Sequence, residues 1–195
     1  MSDLPDPHDL ARPWHGDQPA YYAHFLAMMS RGEAITGSDW HPLVQAYSEA
    51  IPVVPALDLI TGLSPLVEIG AGNGYWARLL ADRGGDVVAC DREPPAPERL
   101  WSTVQSADAI QALQRHPDRV LFSCWPPRPD GYMTEVLPVY RGSTLALITE
   151  GPHDPYWFGP DTLYDQLSKA WELAEKLDLP HWPQRSDSLM IWRRT

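Results

Sequence analysis

Val67-Glu68-Ile69-Gly70-Ala71-Gly72-Asn73-Gly74-Tyr75-Trp76 places three glycines at alternate positions between an apolar run and the start of a helical pattern. Glycine reaches backbone angles that other residues avoid and leaves the main chain bare for a ligand. A strand that turns through such a loop into a helix aims several unpaired N–H groups at one spot. A second acid, Asp91, ends the next apolar run, Asp86-Val87-Val88-Ala89-Cys90. It lies about twenty residues beyond the first glycine, the separation expected of a carboxylate that grips a ribose. These residues describe a site for a nucleoside cofactor.

Other candidates for chemistry sit at the ends of later apolar runs. In an open parallel sheet the strand carboxyl ends carry the ligands. Glu150, His153 and Tyr156, in Thr149-Glu150-Gly151-Pro152-His153-Asp154-Pro155-Tyr156, are therefore candidates for substrate contact. His153 is a candidate general base, because its ordinary pKa lies near working pH; its plainer fate is a solvated loop histidine. Trp125, in Cys124-Trp125-Pro126-Pro127, offers a π face to a cationic or aromatic substrate, or serves as a buried wedge closing the pocket. The remaining histidines show no ligand spacing, and two separated cysteines cannot build a zinc site, so no metal is expected.

The elements that position these residues follow from periodicity. Residues 1–18, rich in Pro, Asp and His, read as a loose arm. Tyr21–Met29 has helical spacing and stops by Gly32, and a second helix begins near Pro42 and runs through Tyr47. A short helix resumes through Leu57, Leu59 and Ile60 after Pro52 and Pro55. From there strands and helices alternate: strand Leu66–Ile69, helix Tyr75–Arg83, strand Val87–Cys90, a proline-rich loop over Arg92–Leu100, and a short strand near Thr103–Gln105. Next come helix Ala109–Arg115, strand Arg119–Cys124, a helical face from Tyr132 to Tyr140, and strand Thr144–Thr149. Leu163, Leu167, Ala170, Trp171, Ala174 and Leu177 form one stripe, which predicts a helix over Thr162–Leu177. Short strands near Leu179–Trp182 and Leu189–Arg193 close the chain. Such alternation implies a mostly parallel sheet covered on both faces. The expected organisation is one domain: an arm and helical lid over residues 1–60, and the cofactor-binding part over 61–195. Tyr21, in the first helix, is a candidate substrate contact if that helix forms a lid; plain packing on the sheet explains its pattern equally.

Composition bounds the rest. The sequence is 44% apolar and 21% charged, as a globular domain should be. A net charge of −11 argues against a nucleic-acid partner and against docking on anionic membranes. No apolar run reaches the length of a membrane span, the amino terminus does not read as a signal peptide, and Cys90 and Cys124 fall in buried strands, all of which fits a reducing cytoplasm. Two lysines and one asparagine against many Arg, Ala, Pro and Asp hint at GC-rich, bacterial coding.

With the glycine loop and Asp91 in place, residues 65–195 resemble the class I S-adenosylmethionine-dependent methyltransferases. The family's acid-x-Gly-x-Gly-x-Gly motif corresponds to Glu68, Gly70, Gly72 and Gly74. The resemblance implies a Rossmann-like three-layer αβα fold with a mostly parallel seven-stranded sheet and one antiparallel strand in a closing hairpin. It implies S-adenosylmethionine as cofactor, with Glu68 near the methionine amino group, the Gly70–Gly74 backbone against the cofactor, and Asp91 on both ribose hydroxyls. Ser106-Ala107-Asp108-Ala109 matches the family's small-Asp-Ala segment, so Asp108 is the implied adenine contact. A nucleotide dehydrogenase is the rival reading, but it prefers Gly-x-Gly-x-x-Gly, and here the third glycine comes one residue early.

The departure is at Trp125-Pro126-Pro127. Amino-methyltransferases of the family carry Asn, Asp or Ser before Pro-Pro, and that polar group accepts from the target amine. An indole donates but cannot accept. The chain thus looks like a subgroup with Trp-Pro-Pro as its signature, with Trp125 and Pro126 at the substrate. The reading is a methyltransferase acting on oxygen or nitrogen of a small molecule or peptide. The alternative is a protein that binds S-adenosylmethionine without transferring its methyl group.

Overall fold

The computed structural model describes residues 4–127, 132–151 and 162–195. A two-stranded hairpin, β1 (Trp14–His15) and β2 (Gln18–Pro19), leads into helices α1 (Ala20–Met29), α2 (Gly37–Ala46) and α3 (Val54–Thr61). The main sheet then begins with β3 (Leu66–Ile69), α4 (Tyr75–Asp82), β4 (Val87–Asp91), β5 (Val104–Ser106), α5 (Ala109–Arg115) and β6 (Val120–Cys124). It is completed by α6 (Tyr132–Val139), β7 (Thr144–Glu150), α7 (Thr162–Ala170), β8 (Trp171–Asp178) and β9 (Asp187–Arg194).

The seven strands lie in the order β5-β4-β3-β6-β7-β9-β8. β3 to β7 pair in parallel, and β9 enters antiparallel between β7 and β8. Side chains alternate across the sheet, as a pleat requires. Leu66, Phe122, Ala146, Ile148 and Ile191 point into one core shared with α1 to α4. Val67, Ile69, Leu121, Leu145, Leu147 and Met190 point into the other, shared with α5 to α7. The expected three-layer architecture, with its single antiparallel strand and helical extension, is the one observed.

Three local expectations are corrected. The helix predicted over Thr162–Leu177 stops at Ala170, and Trp171–Asp178 is a strand. Glu172, Ala174, Lys176 and Leu177 are good helix formers, but the segment pairs along its length with β9, and that pairing overrides local propensity. Leu179–Trp182 is not a strand; Pro180 and Pro183 lack donors, and only the Leu179 N–H reaches β9, at the Asp187 carbonyl. The arm is docked rather than loose. Trp14 Nε1 donates to Asp82 at 2.9 Å, the Tyr75 hydroxyl donates to the Pro13 carbonyl at 3.0 Å, and His24 Nε2 lies 2.8 Å from the Pro5 carbonyl oxygen.

Candidate functional site

β3 and β4 end side by side, and the chain leaving β3 turns through Gly70, Gly72 and Gly74, all with positive φ (65°, 56° and 77°). At Gly72 the turn is fixed by its N–H, which donates to Asp91 at the end of β4 at 2.9 Å. A second N–H, from Glu93, reaches the other Asp91 oxygen at 2.8 Å. Gly74 has a separate reason to be glycine: a Cβ there would strike the Ser102 hydroxyl and come within 2.9 Å of Val104 Cγ2. By contrast, none of the described residues comes within 4 Å of a Cβ placed on Gly72, which leaves room among them for a ligand.

The loop is clamped from the other side by the end of α2. The Ala46 carbonyl, one of the acceptors a helix C-terminus leaves unused, takes the Asn73 side-chain amide at 2.9 Å and Trp101 Nε1 at 2.8 Å. Tyr47 stacks on Trp101 with centroids 5.4 Å apart, and on Tyr21 at 5.1 Å. This arrangement holds Tyr47-Ser48-Glu49 over the glycine loop.

Between them lies a pocket of about 270 Å³. Its floor is Glu68, Gly70, Ala71, Gly72 and Asn73; its walls come from the arm (Pro7, His8, Leu10), the α2 end through Glu49, and the Pro95–Arg99 loop. Trp76 and Cys124 line it as well. Among the described residues, Glu68 is its one buried acid, 2% exposed, and its Oε2 has no hydrogen-bond partner. Burial, reinforced by the charge of Asp91, pushes the Glu68 carboxyl up to about 8, against a smaller lowering by the Ala77 backbone. Such a group favours a cation brought to it.

The sequence candidates are distributed unevenly around this pocket. Glu68, Gly70 and Gly72 line it, while Gly74 packs beneath it and Asp91 braces the loop. Asp108 is the N-cap of α5, accepting the Gln111 N–H at 2.8 Å, and does not line the pocket. Tyr21 as a substrate contact is corrected: it is fully buried, and its hydroxyl accepts Trp182 Nε1 at 2.8 Å. Pro126 is buried and Glu150 is 3% exposed; neither lines the pocket. His153 and Tyr156 lie outside the described residues.

Trp125 takes φ +53°, a backbone angle rare for a side chain of its size. Its indole donates to Asp187 at 2.9 Å, and the Arg185 guanidinium carbon stands 3.8 Å from its ring centre. The cation over this ring is thus the protein's own. Burial pushes Asp187 up to about 6, although Arg185 and the Trp125 hydrogen bond hold it lower than burial alone would. Asn73, Trp101, Glu49 and Arg185 were not singled out by sequence reasoning. Their only signal was rarity in the case of Asn73, the sole asparagine. Among the described residues, no group of three or more His, Cys, Asp or Glu is placed to hold a metal ion, and no helix is long and apolar enough to cross a membrane.

No protein-family model and no curated protein sequence matches the chain. Solved structures do match. Magnesium protoporphyrin IX methyltransferase (ChlM) from Synechocystis PCC 6803, with bound S-adenosylmethionine, is 13% identical, with 100% of each chain covered and a TM-score of 0.52. The 23S rRNA methyltransferase ErmE is 18% identical over 73% of this chain and 68% of its own, with a TM-score of 0.50. The B. subtilis tRNA methyltransferase TrmK is 12% identical over 72% and 64%, with a TM-score of 0.49. The exclusion of nucleic-acid partners is corrected by these findings, because the fold is shared with ErmE, an rRNA methyltransferase. Net charge measures the whole surface, whereas docking needs only one favourable patch. The strand order, the inserted antiparallel strand and the matches to ErmE and ChlM together give the chain the Rossmann-like fold of the class I S-adenosylmethionine-dependent methyltransferases.

Proposed function

We propose that the chain is an S-adenosylmethionine-dependent methyltransferase whose acceptor is a small molecule or peptide, methylated on oxygen or nitrogen. The observation that carries the cofactor reading is Glu68. A buried carboxyl with an unpartnered oxygen, in the floor of a pocket formed by a bare glycine turn, fits the ammonium of an amino-acid moiety. Gly70 to Gly74 would lie against the cofactor, with Asp91 toward its ribose and Asp108 toward its adenine. Residues 1–60 act as arm and lid, in keeping with Pro7, His8 and Leu10 in the pocket wall. Bound S-adenosylmethionine supplies a methyl group already activated on positive sulfur, so the protein's tasks are alignment and exclusion of water.

Trp125 marks the methyl-facing end of β6 in a Trp-Pro-Pro subgroup of the fold. Its engagement with Arg185 and Asp187 favours a second reading: binding of S-adenosylmethionine without transfer. Calorimetric titration of S-adenosylmethionine and S-adenosylhomocysteine, repeated with Asp91→Ala, tests the first step. Absent binding, or binding indifferent to Asp91, overturns both readings. Incubation with small-molecule, peptide and RNA pools then separates them by whether S-adenosylhomocysteine forms. Turnover with RNA alone would replace the proposed acceptor class.

A further inference from the structure

A second polar cluster lies beside the pocket, where β6 ends and β9 begins. Its centre is Arg185, in the connection between β8 and β9, only 8% exposed. The guanidinium lies 3.8 Å from the centre of the Trp125 ring, with Trp40 5.9 Å away. Nη1 donates to the Glu49 carboxylate at 3.1 Å. Asp187 stands 3.7 Å from Nε, close enough for an ion pair but too far for a hydrogen bond. Among the described residues, Nε and Nη2 are buried without an acceptor. A folded chain rarely leaves charged donors in that state unless something outside the chain satisfies them.

Glu49 differs from the rest of the cluster. Its side chain is 52% exposed, and the same residue lines the cofactor pocket. An ion-pair partner that exposed is held weakly and is readily replaced. The geometry points to Arg185 as the anchor for a carboxylate on the methyl acceptor, with Glu49 holding that carboxylate's place until the acceptor enters. This rests on the methyl-transfer reading above. A guanidinium matches a carboxylate through two parallel N–H···O bonds, and Glu49 satisfies only Nη1. An incoming carboxylate takes Nη1 and Nη2 together, while Nε stays beside Asp187 and Glu49 turns to water. One carboxylate leaves and another arrives, so the charge beside Arg185 is unchanged. Trp125 fixes the plane of the guanidinium by stacking, which gives the Trp of Trp-Pro-Pro a task at the acceptor without asking it to accept a hydrogen bond.

The test is calorimetric titration of benzoate, with benzamide and benzylamine as neutral and cationic controls, into the full chain with and without S-adenosylhomocysteine. Benzoate is expected to bind in preference to both controls. Glu49→Gln removes the competitor and is expected to tighten benzoate about tenfold, whereas Arg185→Met weakens it by tenfold or more. Arg185→Lys keeps the charge but loses the fork, and should fall between. If Arg185→Met does not fold, Glu49→Gln decides alone. No preference for benzoate, or unchanged or weaker binding in Glu49→Gln, overturns the anchor. Failure of S-adenosylhomocysteine to bind overturns the cofactor reading instead, and the titration of the cofactor-free chain still reads the anchor.

Discussion

Glu68 is costly to the free chain and useful to the bound one. Its carboxyl is pushed from 4.5 up to about 8 by burial and by Asp91. Between those values the folded chain holds a proton that the unfolded chain has released, so stability falls as pH rises through that window. The penalty is absent below about 4.5 and complete above about 8. Glu68→Gln should flatten this fall, which thermal unfolding at pH 5 and pH 8.5 reads directly. An ammonium ligand favours the charged carboxylate, so binding near pH 7 should release a proton from Glu68. Cofactor affinity should then rise with pH up to about 8, and both effects should vanish in Glu68→Gln. Calorimetry in two buffers of different ionisation enthalpy counts the proton.

At the scale of elements, the glycine turn separates two functions that look alike in the sequence. Gly74→Ala places a Cβ against Ser102 and Val104 on top of an unfavourable φ, so it should cost about 2–4 kcal/mol of stability. Gly72→Ala meets open space, so it should cost only the conformational strain of about 1–2 kcal/mol while weakening cofactor binding more than Gly74→Ala does per unit of stability lost. Denaturant unfolding and calorimetry on both variants separate the two losses. The same scale explains what was legible. β3, the turn and β4 were readable because strand, loop and acid lie within one short stretch of chain, whereas the capping of α5 by Asp108 was not read. β8 was not, because its strand state is imposed by β9. Nor could sequence spacing show that Ala46 would meet Asn73 and Trp101, or that Arg185 would reach Glu49 across 136 positions. Local pattern reveals residues that act with their neighbours and hides those recruited from afar.

Over the whole molecule, the arm is the part whose removal is most informative. It touches the body through Trp14, Pro13 and Pro5, and it contributes Pro7, His8 and Leu10 to the pocket. Removing residues 1–11 leaves Pro13 and Trp14 anchored, so the fold should survive. S-adenosylhomocysteine affinity should drop about tenfold as that wall opens to water, by calorimetry against the full chain. Unchanged affinity would mean the arm is a covering and not a working wall. A different consequence follows from the place of β9. It is made after β8 yet lies between β7 and β8, so β8 has no berth in the sheet until β9 has been synthesised. During that interval β7 presents an unpaired, wholly buried-type edge, the kind of surface that neighbouring chains adhere to. The risk of misassembly therefore peaks just before β9 emerges, and slow translation through the β8–β9 connection would prolong it.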